Sequence, residues 1–530
     1  MKYTKRTRNI ADKALNNIII PFPNFDPTVF DDNFWYVDKT KKYGASYQLY
    51  IQSLRVCAEL LNEYEKTEDP RYLNKTQEII ESWIKYEEGK PSEKMLWYDH
   101  PTANRIQTII HFLYHAKQQG LSIQEDKYYR IMQRHAEVLS DDKNYNNNNH
   151  GLMMDRSLMI LGNVLDDKYL FTKGFYRAID TFWFSFSHQG IHLENSPEYH
   201  NMVVSMYEGI EEYLNEKGKT LGKNVTGYLK LAKDYPNALL KPDGRMPSIG
   251  DSGKGIVRKN KVYKNIYDVE AGIAVLQNKD PKPFYVSFVC GYSSAVHKHK
   301  DDLSITTNYN GKEFFVDPGK FNYSKSKERT YVVSKAAHSS FHLKDFNYVI
   351  DPKNRFERKT VLNAYEDNKF YSIVKGKHTG YTGTSAVLYR TLIVFKHAPV
   401  LIVLDELETD IEHELNVVQK FNLHQDVEIA ENEHGYRLTH GEESLTVKQF
   451  NEINAQTVID GNEEDKLVIN TASFGKGINT RQLDFSKSLT SGTAFTTAVY
   501  DEETVESLNI EVKEESVEIV LDNQKYTVLK

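Results

Sequence analysis

A chain of 530 residues is too long for one compact hydrophobic core, so two domains are expected. With 40% hydrophobic and 27% charged residues and a mean hydropathy of -0.59, it reads as a soluble globular protein, and no apolar run approaches the length of a membrane span. The net charge of -7 gives no general field for nucleic acid or anionic lipid, so a polyanionic ligand has to be held by a local basic site.

Cys57 and Cys290 fall in different halves, which argues against a disulfide framework and excludes a cysteine zinc site. The 35 Tyr and 25 Phe suit sugar-stacking surfaces as well as core packing. Met1-Lys2-Tyr3-Thr4-Lys5-Arg6 is basic but lacks the apolar segment of a secretory signal. The chain as written is therefore expected in the cytoplasm, and in the periplasm or outside the cell if a signal has been removed.

Pro21, Pro23 and Pro27 among aromatics predict an ordered, irregular arm within residues 1–44. From Ala45 the period is helical: Tyr50, Leu54, Cys57 and Leu61 share a face, then Ile79, Ile80, Trp83 and Ile84, then Ile106, Ile109, Ile110 and Leu113. Further helices are predicted over 128–138, 152–165, 169–184, 202–217 and 228–239. Consecutive amphipathic helices with short links predict a stack of helical hairpins over 45–265. The pattern stops in the Gly- and Pro-rich stretch 242–251. Beyond about Asp268 the period becomes two, and 303–309 faces 313–316 across Asn310-Gly311, a strong hairpin signal. Strands predicted at 284–290, 359–362, 370–374, 386–395, 400–405, 414–421, 436–439, 445–449, 494–500 and 517–521 point to an antiparallel sandwich over 266–530. The fold class is thus multidomain, α then β.

Five clusters carry candidate chemistry. Four amides, Asn146 to Asn149, precede His150-Gly151 and the return of helical spacing, which places Asn149 and His150 at the mouth of a helix, where an anion binds well. In His192-Leu193-Glu194-Asn195-Ser196-Pro197-Glu198-Tyr199-His200, Pro197 pushes Ser196 towards an extended conformation and sets Tyr199 at a second helix start near His200. His297 and His299, two apart in an expected strand, share a face, and Asp317 and His338 are their candidate partners. Two imidazoles and a carboxylate suit zinc, although the spacing fits no compact metal motif. Arg105, read as lying in the first turn of a helix, is misplaced for the dipole and points to an anionic partner. Ile249-Gly250-Asp251-Ser252-Gly253 is a tight turn. A basic run, Lys254, Arg258, Lys259, Lys261 and Lys264, either grips sulfates or is a solvated loop.

Asn149-His150-Gly151, Ser196-Pro197-Glu198-Tyr199-His200, Gly250-Asp251, His297-Lys298-His299-Lys300-Asp301, Asp317-Pro318-Gly319 and Ala337-His338-Ser339 occur in an order and rough spacing that resembles the heparinase II/III-like polysaccharide lyases, from about Tyr47 to about Phe341. The resemblance implies an incomplete (α/α) toroid followed by an antiparallel β-sandwich, with the catalytic cleft between them. It also implies eliminative cleavage of a uronic-acid polysaccharide without an organic cofactor. By position, Asn149 neutralises the uronate carboxylate, His150 and Tyr199 act as base and acid, and His297 belongs to the β side of the site. Arg105, Glu198, His200 and Tyr323 are expected at the substrate, and His299, Asp317 and His338 match the ligands of a zinc ion seen in some members. Met153 stands where some members carry an acidic residue, a departure from the subfamily acting broadly on both uronate epimers.

These residue types suit elimination. Loss of the weakly acidic uronate C5 proton builds negative charge, which hydrogen bonds from Asn149 and charge from Arg105 would stabilise. Tyr199 would serve as both base and acid if the C5 proton and the O4 leaving group share one face of the sugar; otherwise His150 is the base and Tyr199 the acid. The expected function is a lyase acting on a heparan sulfate- or heparin-like glycosaminoglycan or a bacterial acidic polysaccharide, leaving 4,5-unsaturated uronate ends. The alternatives are a glycoside hydrolase using Glu194, Glu198 and Asp251, and a non-catalytic protein binding capsule or exopolysaccharide. The partner is an acidic polysaccharide rather than nucleic acid or membrane, and the chain is a monomer or homodimer.

Overall fold

The computed structural model describes residues 5–23, 25–253, 260–432 and 435–530, so Lys254, Arg258 and Lys259 of the basic run lie outside the described residues. Two compact units emerge: Met1–Ser185 with Ile210–Val225, and Phe186–Gly209 with Thr226–Lys530. Contact thus divides the chain differently from the switch of period near residue 265, because residues 186–209 and 226–265 cluster with the strands.

The first unit is helical. Arg55–Thr67, Pro70–Glu88, Asp99–Gln118, Glu125–Ser140, Asn149–Val164 and Lys168–Ser185 follow the apolar period of the sequence, and their inward faces meet in one core that includes Leu60, Ile80, Trp83, Ile106, Ile109 and Leu158. Starts are capped where the sequence allows it: Asp69 accepts from the Arg71 N–H with Pro70 as the first helical residue. Two features depart from expectation. Lys5–Leu15 is a helix that packs on Arg55–Thr67 and buries Ile10, Ala11 and Ala14, so part of the expected irregular arm belongs to the core. The helix expected through Tyr50 and Leu61 is broken at Leu54, whose left-handed backbone (φ 52°) separates Ser46–Gln52 from Arg55–Thr67.

In the second unit, all strand pairs are antiparallel. An eight-stranded sheet runs in the order Glu428–Asn432, Gly435–His440, Glu443–Gln449, Gly492–Tyr500, Val400–Glu408, Val387–Phe395, Tyr371–His378 and Thr360–Asp367. A four-stranded sheet holds Ala455–Asp460, Arg481–Leu489, Leu415–Asn422 and Phe341–Leu343. Asn310 and Gly311, both at positive φ (46° and 83°), close the hairpin that pairs Tyr309 with Lys312.

A five-stranded sheet, Ile266–Asp268, Ile273–Asn278, Phe284–Val289, Ser304–Tyr309 and Lys312–Glu313, carries the site loops. Its central strands are buried on both faces, and Phe284–Val289 does not alternate as expected. Ala274, Leu276, Val286 and Phe288 enter the sandwich core shared with Leu392, Val403 and Phe421. Ile273, Val275, Tyr285 and Val289 pack instead with Leu239, Leu240 and Ile249, so the chain end of the Lys223–Leu239 helix and the turn before Asp251 cover the second face.

One buried ion pair pins these layers. Arg390 and Asp405, cross-strand neighbours and fully buried, meet through two 2.7 Å hydrogen bonds, while Arg390 also donates to the Leu303 and Ser339 carbonyls at 2.7 and 2.9 Å. Ser339 follows His338, so the pair fixes the loop that presents that histidine. No described helix is long and apolar enough to cross a membrane.

Candidate functional site

The Pro197–Asn215 helix, of which residues 197–209 belong to the second unit, begins one residue after Ser196, whose hydroxyl accepts from the Tyr199 N–H at 3.4 Å and meets the Ser252 hydroxyl at 2.7 Å. The helix therefore starts earlier than near His200, and Tyr199 sits in its first turn. The half-buried Tyr199 ring stacks on His297, centroids 3.6 Å apart and planes 20° from parallel. Its hydroxyl lies 2.9 Å from that of Tyr323, which is 54% exposed, so the pair of phenols reaches solvent.

Asp251, 1% exposed, organises the wall behind the stack. Its carboxylate accepts from His297 Nδ1 at 3.1 Å, His299 Nε2 at 3.0 Å and the Arg329 guanidinium at 2.5 and 3.2 Å. Burial alone would raise this carboxyl's pKa, but the three donors outweigh it and hold the group well below the usual range. The turn that delivers Asp251 needs Gly250: its φ is 55°, and a Cβ there would meet the Asn195 and His297 carbonyl oxygens at 2.4 and 2.9 Å. His297 and His299 are not in a strand, as expected, but in a turn and the irregular stretch after it; one shared carboxylate, not strand period, brings them together.

Charges surround the phenols. Lys320 is paired with Glu198 at 2.6 Å and stands 5.7 Å from the Tyr199 ring, while Arg329 stands 5.4 Å from the Tyr323 ring. Burial nevertheless pushes the Tyr199 pKa up, with Asp251, Glu198 and Glu194 adding to the rise and the Tyr323 hydrogen bond opposing it. Tyr199 is consequently a protonated phenol at neutral pH. Glu194 Oε2 lies 3.6 Å from His297 Nε2, on the ring edge opposite Asp251.

His299, Asp317 and His338, all buried, bring one ligand atom each within 4.8 Å of one another. His338 Nδ1 bonds Asp317 at 3.0 Å, whose other oxygen accepts from the Gly319 N–H at 2.9 Å. Among the described residues, His299 Nδ1 and His338 Nε2 have no hydrogen-bond partner. Two buried, unpaired imidazole nitrogens beside a carboxylate are a donor set that fits a borderline divalent cation.

In the first unit, Asn148 is the cap of the Asn149–Val164 helix: its side chain accepts from the His150 and Gly151 N–H groups at 2.9 and 3.1 Å. Asn149 and His150 occupy the first turn as expected, but the cap already uses two of the amide donors on which an anion at the helix mouth was expected to rest. Gly151 is required, since a Cβ would sit 2.0 Å from the Asn146 carbonyl oxygen. His150, half-buried, holds Nδ1 3.1 Å from Asp99, and neighbouring His100 is pushed down to about 4 by burial and by His150.

Two expected substrate residues are built into the structure instead. Arg105 lies in the second turn, is fully buried, donates to His135 Nε2 at 2.9 Å and the Gln52 carbonyl at 2.7 Å, and packs between Trp83 and Trp97 at 4.2 and 4.9 Å. His200 is buried with both ring nitrogens engaged, Nδ1 accepting from the His192 N–H at 3.1 Å and Nε2 donating to the Ala232 carbonyl at 2.7 Å. His200 has no ring nitrogen left for a sugar, and Arg105 Nη2, which has no hydrogen-bond partner among the described residues, is buried away from solvent. Tyr199, Glu198, His297 and Tyr323 do converge, and sequence reasoning missed Lys320 and Arg329, which no motif marks.

The family model described as Heparinase II/III N-terminus matches residues 2–273, and that described as Heparinase II/III-like, C-terminal, matches residues 269–502. No curated protein matches the chain. Among solved structures, the chain is similar to heparinase III (TM-score 0.75, 14% identity, covering 99% of this chain and 91% of that one) and to heparan sulfate lyase HepC from Pedobacter heparinus (0.72, 16%, 100% and 90%). It is similar at greater distance to a Streptomyces coelicolor A3 chondroitin AC lyase solved with chondroitin sulphate (0.56, 9%, 97% and 82%). The shared fold is a helical toroid followed by an antiparallel β-sandwich, and with its two family models spanning nearly the whole sequence, the chain belongs to the heparinase II/III family of polysaccharide lyases.

Proposed function

We propose that this polysaccharide lyase cleaves a uronic-acid polymer by β-elimination, with Tyr199 as the proton donor to the leaving oxygen. The observation that carries the reading is a protonated phenol whose hydroxyl reaches solvent, stacked on an imidazole that a buried carboxylate holds in place. With its pKa raised, Tyr199 carries its proton into the reaction, so it is present as the acid and not as a phenolate base. His150 suits the complementary role, because Asp99 accepting from Nδ1–H leaves Nε2 as the basic atom. In this scheme His150 removes the C5 proton and the C5–H electron pair becomes the C4=C5 bond. The C4–O4 bond breaks with its electrons on O4, which takes the Tyr199 proton. Asn149 hydrogen-bonds the uronate carboxylate as charge builds there.

His297 keeps the Tyr199 ring in its orientation, and Tyr323 sets the direction of the hydroxyl. Zinc, held by His299, Asp317 and His338, would supply positive charge that braces this wall, and no proton passes through it. A hydrolase needs a carboxylic acid that donates a proton; Asp251 is kept ionised by three donors, Glu198 is tied to Lys320, and the third candidate, Glu194, is buried with Oε2 3.6 Å from His297 Nε2. Heparan sulfate-like and bacterial acidic polysaccharides form the substrate panel.

The test is product mass together with ultraviolet absorbance over that panel. Products lighter by one water than hydrolysis would give, absorbing through the C4=C5 bond conjugated to the carboxylate, are expected. Reducing ends of full hydrated mass, with no such absorbance, would overturn the reading.

A further inference from the structure

The helix Asp99–Gln118 carries His111 and His115, one turn apart on a single face, and the helix Arg55–Thr67 packs beside it and presents Glu65 to both. All three belong to the helical unit. We propose that Glu65, His111 and His115 form a binding site for a divalent transition cation of the zinc class.

The distances favour a shared centre. His111 Nε2 lies 2.7 Å and His115 Nε2 3.2 Å from the same oxygen, Glu65 Oε1, and the two ring nitrogens are 3.2 Å apart. Ligand atoms about 2.0–2.1 Å from a tetrahedral zinc are separated by roughly 3.3 Å. Two of the three edges already have that length, and the third, a hydrogen bond, opens by about 0.6 Å on binding. Hydrogen bonding alone is a poor account of the trio. If both Nε2 atoms donate to Glu65 Oε1, two N–H groups are turned towards each other at 3.2 Å, whereas a cation takes one lone pair from each nitrogen and from the oxygen.

The ligands are also held in place. His115 is nearly buried, with Tyr64 and Tyr114 edge-on to its ring at 5.1 and 5.2 Å, and both helices belong to the core of the unit. Glu65 and His111 line a cleft of about 1070 Å³ with Arg55, Asn104, Arg156 and Tyr213. The cluster thus borders an open cleft, from which water, or an oxygen of a bound anion, would complete the shell. Neither His111 nor His115 has a part in the elimination proposed above, so the two readings stand separately.

The experiment uses the full chain stripped of metal, titrated with zinc against a chromophoric chelator and with cobalt(II) as a visible-absorbing substitute. Wild type is compared with His111→Ala and Glu65→Gln, both partly exposed positions, and thermal melts without metal confirm that each variant is folded. The difference between wild type and variant removes any cation held elsewhere. The result expected is that wild type takes up one equivalent more than His111→Ala, shows the intense visible bands of tetrahedral cobalt that this variant lacks, and binds that equivalent at least tenfold tighter than Glu65→Gln. Equal stoichiometry, affinity and cobalt spectrum in wild type and His111→Ala would overturn the proposal. As a check independent of the chelator, zinc raises the melting temperature of wild type more than that of His111→Ala; equal shifts count against the site.

Discussion

Replacing Asp251 by Asn probes the wall behind the phenols most sharply, because the change keeps the shape and removes the charge. The carboxylate accepts from three donor groups, His297 Nδ1, His299 Nε2 and both terminal nitrogens of Arg329. An Asn side chain offers one acceptor oxygen and turns an NH2 towards at least one of these donors. Charge-assisted hydrogen bonds contribute about 1.5–3 kcal/mol each, and removing one partner of a buried ion pair costs about 3–5 kcal/mol. Arg329 keeps 18% of its side-chain exposure, which lets water take up part of the loss, so a stability decrease of about 3 kcal/mol is expected. The chemical effect is separate. Freed from Oδ2, His297 no longer holds one tautomer and one ring orientation under Tyr199, and a kcat at least ~100-fold lower, about 2.7 kcal/mol of barrier, is expected with KM changed little. Initial rates from ultraviolet absorbance at saturating substrate, taken below the melting temperature of the variant, measure it. A folded Asp251→Asn enzyme with wild-type kcat would refute the assignment of Asp251 as the group that positions His297.

Arg390→Met leaves the Asp405 carboxylate buried without its cation and is expected to destabilise the β unit by about 3–5 kcal/mol, whereas Arg390→Met with Asp405→Leu recovers most of that loss; urea unfolding of the single and double variants checks it. His100 and His378, both pushed down to about 4 by burial, are neutral in the folded chain while their unfolded counterparts titrate near 6.5. Between pH 6.5 and 4 the unfolded chain thus binds protons that the folded chain does not, so stability falls as pH falls through that window, by up to ~3 kcal/mol for each histidine. Urea midpoints that stay constant from pH 7 to 4.5 would contradict this. Gly151→Ala puts a methyl group against the Asn146 carbonyl, so the first turn holding Asn149 and His150 has to shift; a loss of activity larger than the fall in melting temperature explains is expected, and unchanged kinetics would count against a role for that turn.

Amphipathic period was enough to read the helices from 55 to 185, because each buries one apolar stripe and leaves the rest in water. It failed where burial is two-sided or hidden. Ile273–Asn278 was not predicted, since a strand covered on both faces has no alternation to read; Ile266–Asp268 is too short to show a period, and Lys5–Leu15 shows only a three-residue apolar edge among charges. At the site, Tyr199 was legible from Pro197 and the helix start. The pairing of His297 with His299 was right for the wrong cause, a strand where the chain makes a turn and a carboxylate does the gathering. Arg105 and His200 were misread because burial is set by residues far along the chain: Trp83 and His135 enclose the one, His192 and Ala232 the other. Lys320 and Arg329 share that difficulty, being placed beside the phenols by a loop and a short helix that carry no motif.

Tyr199→Phe removes one oxygen and keeps the ring that stacks on His297, so it isolates the proton donor. The decisive measurement is the rate of ultraviolet absorbance increase on a uronate polysaccharide that wild type cleaves, with both proteins folded and at equal concentration. A fall of at least ~1000-fold in Tyr199→Phe, with substrate still bound, is the outcome predicted for a phenol that protonates the leaving oxygen. A variant that retains a tenth or more of the wild-type rate would contradict that role.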